Sequence, residues 1–91
     1  MAVNVLIPTP LQQLTGNTDL VQVSAGSIRE MVDLLSSSYP GIRDRLCDDA
    51  GKLRRFMNVY VKGEDIRSLQ REDTVLKDGD EISLVPAIAG G

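Results

Sequence analysis

Ser27-Ile28-Arg29-Glu30-Met31-Val32-Asp33-Leu34-Leu35-Ser36-Ser37-Ser38 is the stretch on which the fold of this chain turns. Ile28, Met31, Val32 and Leu35 recur at helical spacing, whereas Arg29, Glu30 and Asp33 fall mostly on the opposite face. Ser27 and Glu30 have the S-x-x-E spacing of a capping box, in which the serine oxygen satisfies a free N–H of the first turn and the glutamate reaches back. The period fades through three serines and must stop before Pro40-Gly41. An apolar stripe of this kind is the core face of an amphipathic helix.

Strand patterns flank this helix on both sides. Upstream, Val3, Val5 and Ile7 alternate with Asn4 and Leu6, and Pro8 and Pro10 end the run. Gln12 to Asp19 reads as a turn-rich return containing Gly16-Asn17-Thr18, and Leu20 to Val23 reads as a second strand, the hairpin partner of the first. Downstream, Ile42 to Cys47 reads as a short helical turn with Ile42 and Leu46 inward, and Asp48 to Lys52 as a polar loop. Arg54 to Val61 reads as the clearest strand, turned by Lys62-Gly63-Glu64-Asp65, with Ile66 and Leu69 in a short irregular edge segment. Lys77-Asp78-Gly79-Asp80 is a turn, and Ile82 to Val85 is the last strand, with Ile82 and Leu84 on one face. The order β-β-α-β-β-β predicts an α+β domain, one mixed sheet of about five strands covering one main helix.

Composition sets the limits. Ninety-one residues make one domain with one core, here expected over 1–85. Tyr39, Phe56 and Tyr60 are the only aromatic residues, so the core must be built of Val, Leu and Ile. The net charge of −3 argues against a general nucleic-acid binder. There is no histidine and one cysteine, Cys47, which excludes imidazole and multi-thiolate metal sites and an internal disulfide. No run approaches the ~20 apolar residues of a membrane span, and the first residues lack the features of a secretion signal. The chain is expected to be soluble and cytoplasmic, without metal, membrane or nucleic acid.

Candidate chemistry is sparse. Cys47 lacks a histidine to act as its base and reads as a half-buried filler at the end of the short helical turn. The acids Asp48, Asp49, Glu64, Asp65, Asp78, Asp80 and Glu81 do not match a calcium loop and read as solvated turn residues. Arg43, Arg45, Lys52, Arg54 and Arg55 form a basic cluster that reads as a solvated face. No phosphate loop, dinucleotide fingerprint or catalytic set is present. What remains is the end of the chain, Pro86-Ala87-Ile88-Ala89-Gly90-Gly91. Proline weakens sheet pairing, and these six residues would reach about 20 Å at roughly 3.3–3.6 Å each. Gly90 and Gly91 carry no side chain, so the Gly91 carboxylate can enter a narrow slot in another protein. Residues 86–91 are therefore expected to be a flexible tail carried by the domain.

Four passages together resemble the ubiquitin-like sulfur carriers of the ThiS and MoaD family, and among them the CysO type of cysteine biosynthesis. They are Ser27-Ile28-Arg29-Glu30 with Tyr39-Pro40-Gly41-Ile42; Gly51 through Val61; Asp78-Gly79-Asp80-Glu81-Ile82; and Pro86 through Gly91. The resemblance implies a β-grasp fold and a chain that is no enzyme. It implies that an E1-like adenylating and sulfurylating partner uses ATP to activate Gly91 and converts it to a thiocarboxylate, with Gly90 and Ala89 recognised in the tail. It further implies a pyridoxal-phosphate cysteine synthase as sulfur acceptor and a zinc peptidase that releases the cysteine, the cofactors belonging to these partners. Three other readings stay open: the small subunit of molybdopterin synthase, a protein modifier joined to lysines, and an interaction domain with an inert tail.

Overall fold

A computed structural model describes residues 2–86. Ala89, Gly90 and Gly91, and the expected flexibility of the tail, lie outside the described residues beyond Pro86. Strand β1 (Ala2–Leu6) pairs antiparallel with β2 (Leu20–Ser24), and helix α2 (Ile28–Ser38) follows. β3 (Met57–Val61), β4 (Glu64–Asp65) and β5 (Glu81–Pro86) complete a five-stranded sheet of order β2-β1-β5-β3-β4. β1 and β5 are parallel and the other pairs antiparallel, so the sheet is mixed, as its sequence predicts.

The core follows from the two periodicities. α2 buries Ile28, Met31, Val32 and Leu35, and the sheet meets it with Val3 and Val5 of β1, Met57, Val59 and Val61 of β3, and Ile82 and Leu84 of β5. Ile42, Leu46 and Leu76 fill the end of the layer. The capping box forms with one change of partner. Ser27 Oγ accepts from the Glu30 N–H at 3.2 Å, and Glu30 Oε1 accepts at 2.6 Å from the N–H of Gly26, one residue before the cap.

Three local expectations are corrected. Between β1 and β2 the chain forms a short helix α1 (Thr9–Gln12) and a 3₁₀ turn (Gln13–Thr15), burying Leu11 and Thr15. Pro10 sits in the first turn of α1, where a missing N–H costs nothing, so it opens a helix as well as ending a strand. Residues 54–56 are not strand. The Met57 N–H donates to the Arg54 carbonyl at 3.0 Å, a turn that delays β3 and leaves Phe56 48% exposed. β5 runs one residue past the expected boundary, with Pro86 opposite Met57 at the strand end, where a missing donor is tolerated. The short helical turn is as expected: Pro40–Ile42 is 3₁₀ and α3 (Arg43–Leu46) follows, with Ile42 and Leu46 fully buried.

Two turns set the strand registers. Lys62 (φ 53°) and Gly63 (φ 82°) both take positive φ, matching the two-residue hairpin between β3 and β4. The turn before β5 is tied to the start of β1: the Ala2 N–H donates to Asp78 Oδ1, the Gly79 N–H to the Ala2 carbonyl and the Asn4 N–H to the Asp80 carbonyl. Asp80 was expected among the solvated turn acids, yet it is only 3% exposed. Its Oδ2 accepts from the Lys77 N–H at 2.8 Å, while Oδ1 lies 3.1 Å from Lys62 Nζ in an ion pair without a well-aligned hydrogen bond.

The Lys77 N–H, then Lys62, hold the Asp80 carboxyl below its ordinary value of 3.8, against the effect of burial. A depressed folded-state pKa adds stability that is complete above the unfolded value and disappears as pH falls through the folded one. Asp80→Ala is therefore expected to cost about 1–3 kcal/mol near neutral pH, because a donor loses its acceptor. The parent should lose this advantage below about pH 4. Urea unfolding across pH checks both; equal midpoints for the two proteins at pH 7 would contradict the assignment.

Candidate functional site: the root of the C-terminal tail

β5 is the middle strand of the sheet, and the tail continues from its end. On β5, β1 reaches only Glu81, Ile82 and Ser83, because the chain turns away after Leu6 toward Pro8. Among the described residues, Leu84 to Pro86 of β5 are paired on the β3 side alone, through Met57, Asn58 and Val59. The tail root is thus anchored in the core by Ile82 and Leu84 and open along one edge just before the terminal residues.

The outer sheet face gives this root apolar surroundings. Leu20 of β2, Leu6 of β1, Ser83 of β5 and Tyr60 of β3 lie in one row across four strands. Leu20 and Val85 are each 44% exposed, and Phe56 precedes Met57, the partner of Pro86. Isolated exposed hydrophobic residues carry little meaning, but apolar groups gathered on one face suit contact with a protein.

The sequence candidates separate in space. Cys47 is 3% exposed, more buried than expected. It closes α3 through its N–H to the Arg43 carbonyl at 2.8 Å and bridges to Leu53. Burial pushes its thiol pKa up and Arg43 only partly offsets this, so thiolate is disfavoured. Maleimide labelling of the native chain should accordingly be at least about tenfold slower than in urea. Labelling at the same rate in both would show that Cys47 is accessible.

The expected basic cluster is divided. Arg43 pairs with Asp33 of α2 at 2.9 Å, while Arg54 Nε donates to the Asp44 carbonyl and its guanidinium lies 6.0 Å from the Phe56 ring centre. Arg54 and Arg55 instead meet Arg67 and Arg71 around a concavity of about 260 Å³. Arg67 is held by Asp65 and Asn58, and hydrogen bonds from Arg67 keep the Asp65 carboxyl below the ordinary range. The sequence carried no signal for this grouping, since Arg67 and Arg71 lie in a different segment. Among the described residues there is no group of three or more Asp, Glu, His or Cys able to hold a metal ion, and no helix is long and apolar enough to cross a membrane.

A five-stranded mixed sheet gripping one helix, with the chain end leaving its central strand, defines the ubiquitin-like β-grasp class. Residues 5–91 match the ThiS family model, and the chain belongs to that family. It is 41% identical over 93 residues to the sulfur carrier protein CysO of Mycobacterium tuberculosis, covering the whole of both chains. It is also similar to a chain in the crystal structure of the Amycolatopsis orientalis BexX/CysO complex, with a TM-score of 0.91 and 40% identity over 98% of this chain and 99% of that one. The crystal structure of M. tuberculosis CysO, described as an antigen, matches with a TM-score of 0.88 and 39% identity, covering 94% of this chain and 99% of that one.

Proposed function

We propose that this chain is a sulfur carrier, itself no catalyst, whose Gly91 carboxylate is adenylated and converted to a thiocarboxylate that donates sulfur for cysteine biosynthesis. The observation that carries this reading is the full-length likeness to CysO. That likeness favours the cysteine pathway over the pterin and lysine-modification alternatives.

The chemistry explains why such a protein needs a tail and no active site. A carboxylate oxygen is a poor leaving group, and ATP supplies the adenylate that leaves in its place. A sulfur donor then displaces AMP, and the sulfur stays covalently held on Gly91. ATP, pyridoxal phosphate and zinc act in the partners: an E1-like activating enzyme, a cysteine synthase and a peptidase that frees the product. Ala89 and Gly90 let the end pass into the activating site. The five residues beyond Pro86 span about 17 Å when extended, so that enzyme approaches close to the open edge of β5. This all takes place in the cytoplasm. Cys47 has no part in it, and Cys47→Ala is expected to load sulfur normally; loss of loading in a folded variant would give Cys47 a persulfide or thioester role.

The pathway is tested by offering the loaded protein O-phosphoserine with a pyridoxal-phosphate cysteine synthase, and separately the pterin precursor with a molybdopterin synthase large subunit. Cysteine attached to Gly91 in the first mixture is the expected result. Sulfur transfer only in the second would replace this reading with the pterin one. An isopeptide bond to lysine as the main cellular product would replace it with a modifier.

A further inference from the structure

The charges around the concavity lined by Arg54, Arg55, Arg67 and Arg71 do not cancel. Two carboxylates share the lining, and both are engaged. Asp65 accepts from the backbone and side chain of Arg67, and Glu72 Oε2 accepts from the Leu53 N–H at 3.2 Å. Two of the guanidiniums are engaged as well, Arg67 by Asp65 and Arg54 by the Asp44 carbonyl. Arg55 and Arg71 are exposed, and their guanidiniums have no partner among the described residues. Two guanidiniums without a counter-charge among the described residues thus line one pocket, in a chain of net charge −3. Arg71 also holds a positive φ of 53°, a strained position for a residue other than glycine.

The pocket floor is apolar, with Met57, Val59 and Ile66 buried beneath the arginines and Leu53 at the side. Guanidinium forks match phosphate oxygens in pairs, and an apolar floor accepts the body to which the phosphate is attached. A volume of about 260 Å³ suits a small molecule better than a length of peptide. We propose that this pocket binds a small organic phosphate, with Arg55 and Arg71 clasping the phosphate and the Met57–Ile66 floor receiving its apolar body. The site stands apart from the sulfur-carrier reading, since it needs neither Gly91 nor a partner.

The test is an NMR titration of the ¹⁵N-labelled full chain, in phosphate-free buffer, with phenyl phosphate, inorganic phosphate, phenol and a hexaglutamate peptide. Saturable amide shifts confined to residues 53–57 and 65–72 are expected, with phenyl phosphate binding more tightly than inorganic phosphate and phenol not binding. The Arg55→Ala/Arg71→Ala variant removes two exposed side chains and should fold; it should bind about tenfold or more weakly, as the loss of charge-assisted hydrogen bonds requires. Shifts that fail to saturate, or undiminished binding by a folded double variant, would overturn the proposal. Tighter binding of hexaglutamate than of phenyl phosphate would overturn it too, making the pocket a docking point for an acidic protein segment.

Discussion

A chain lacking Gly91 is expected to fold as the parent does and to load sulfur about 100-fold more slowly or worse. The deletion draws the carboxylate back by roughly 3.3–3.6 Å, one residue of extended chain. A displacement of ~1 Å at a reacting centre can already cost about 100-fold in rate. The described sheet and core are built from residues 2–86, and the deletion removes none of them. Adding a residue after Gly91 should block loading as fully, because the reacting group then becomes an internal amide. Gly90→Val should fail for a different reason, the bulk of the side chain in the partner's slot. Loading assays beside unfolding curves separate these outcomes; a stably folded deletion variant that loads at the parental rate would remove Gly91 from the chemistry.

Leu35→Ala carries the largest expected cost in stability, about 2–5 kcal/mol. Leu35 is fully buried on the sheet-facing side of α2, among Val3, Val5, Val59, Ile82 and Leu84. Truncation removes its transfer energy and leaves a cavity that the flanking strands cannot fully close. Domains of this size hold about 5–15 kcal/mol in total, so the variant would be left close to its unfolding threshold. Urea unfolding should show a lower midpoint with an unchanged slope. A loss below about 0.5 kcal/mol, the usual size for a surface change, would take Leu35 out of the core.

The helix was legible because cap and period agree: Ser27 and Glu30 mark its start while Ile28, Met31, Val32 and Leu35 mark its buried face. β1, β2 and β5 were legible from alternation and from the turns between them. Residues 54–56 misled because an aromatic beside a β-branched run imitates a strand, whereas the Arg54 carbonyl closes a turn with Met57. α1 was hidden because Pro8-Thr9-Pro10 reads as a stop, and a proline in a first helical turn reads the same way. Asp80 reads as a solvated turn acid because its distant partner, Lys62, lies eighteen residues away and meets it only in the folded chain. The arginine pocket was out of reach for a similar reason, since the hairpin at Lys62-Gly63 brings residues 65–72 against 53–57 only in the folded chain. Gly90 and Gly91 lie outside the described residues; in the sequence they show only as two residues without side chains, and the role expected of them comes from resemblance.

The most direct test of the carrier account is the mass of the terminal peptide. The full chain is incubated with an E1-like activating enzyme, ATP and a sulfur donor, then digested. The account predicts a gain equal to one oxygen exchanged for sulfur, confined to the peptide ending at Gly91 and absent when ATP is omitted. An unchanged terminal peptide with an adenylation-competent partner, or sulfur found on Cys47 instead, would contradict it.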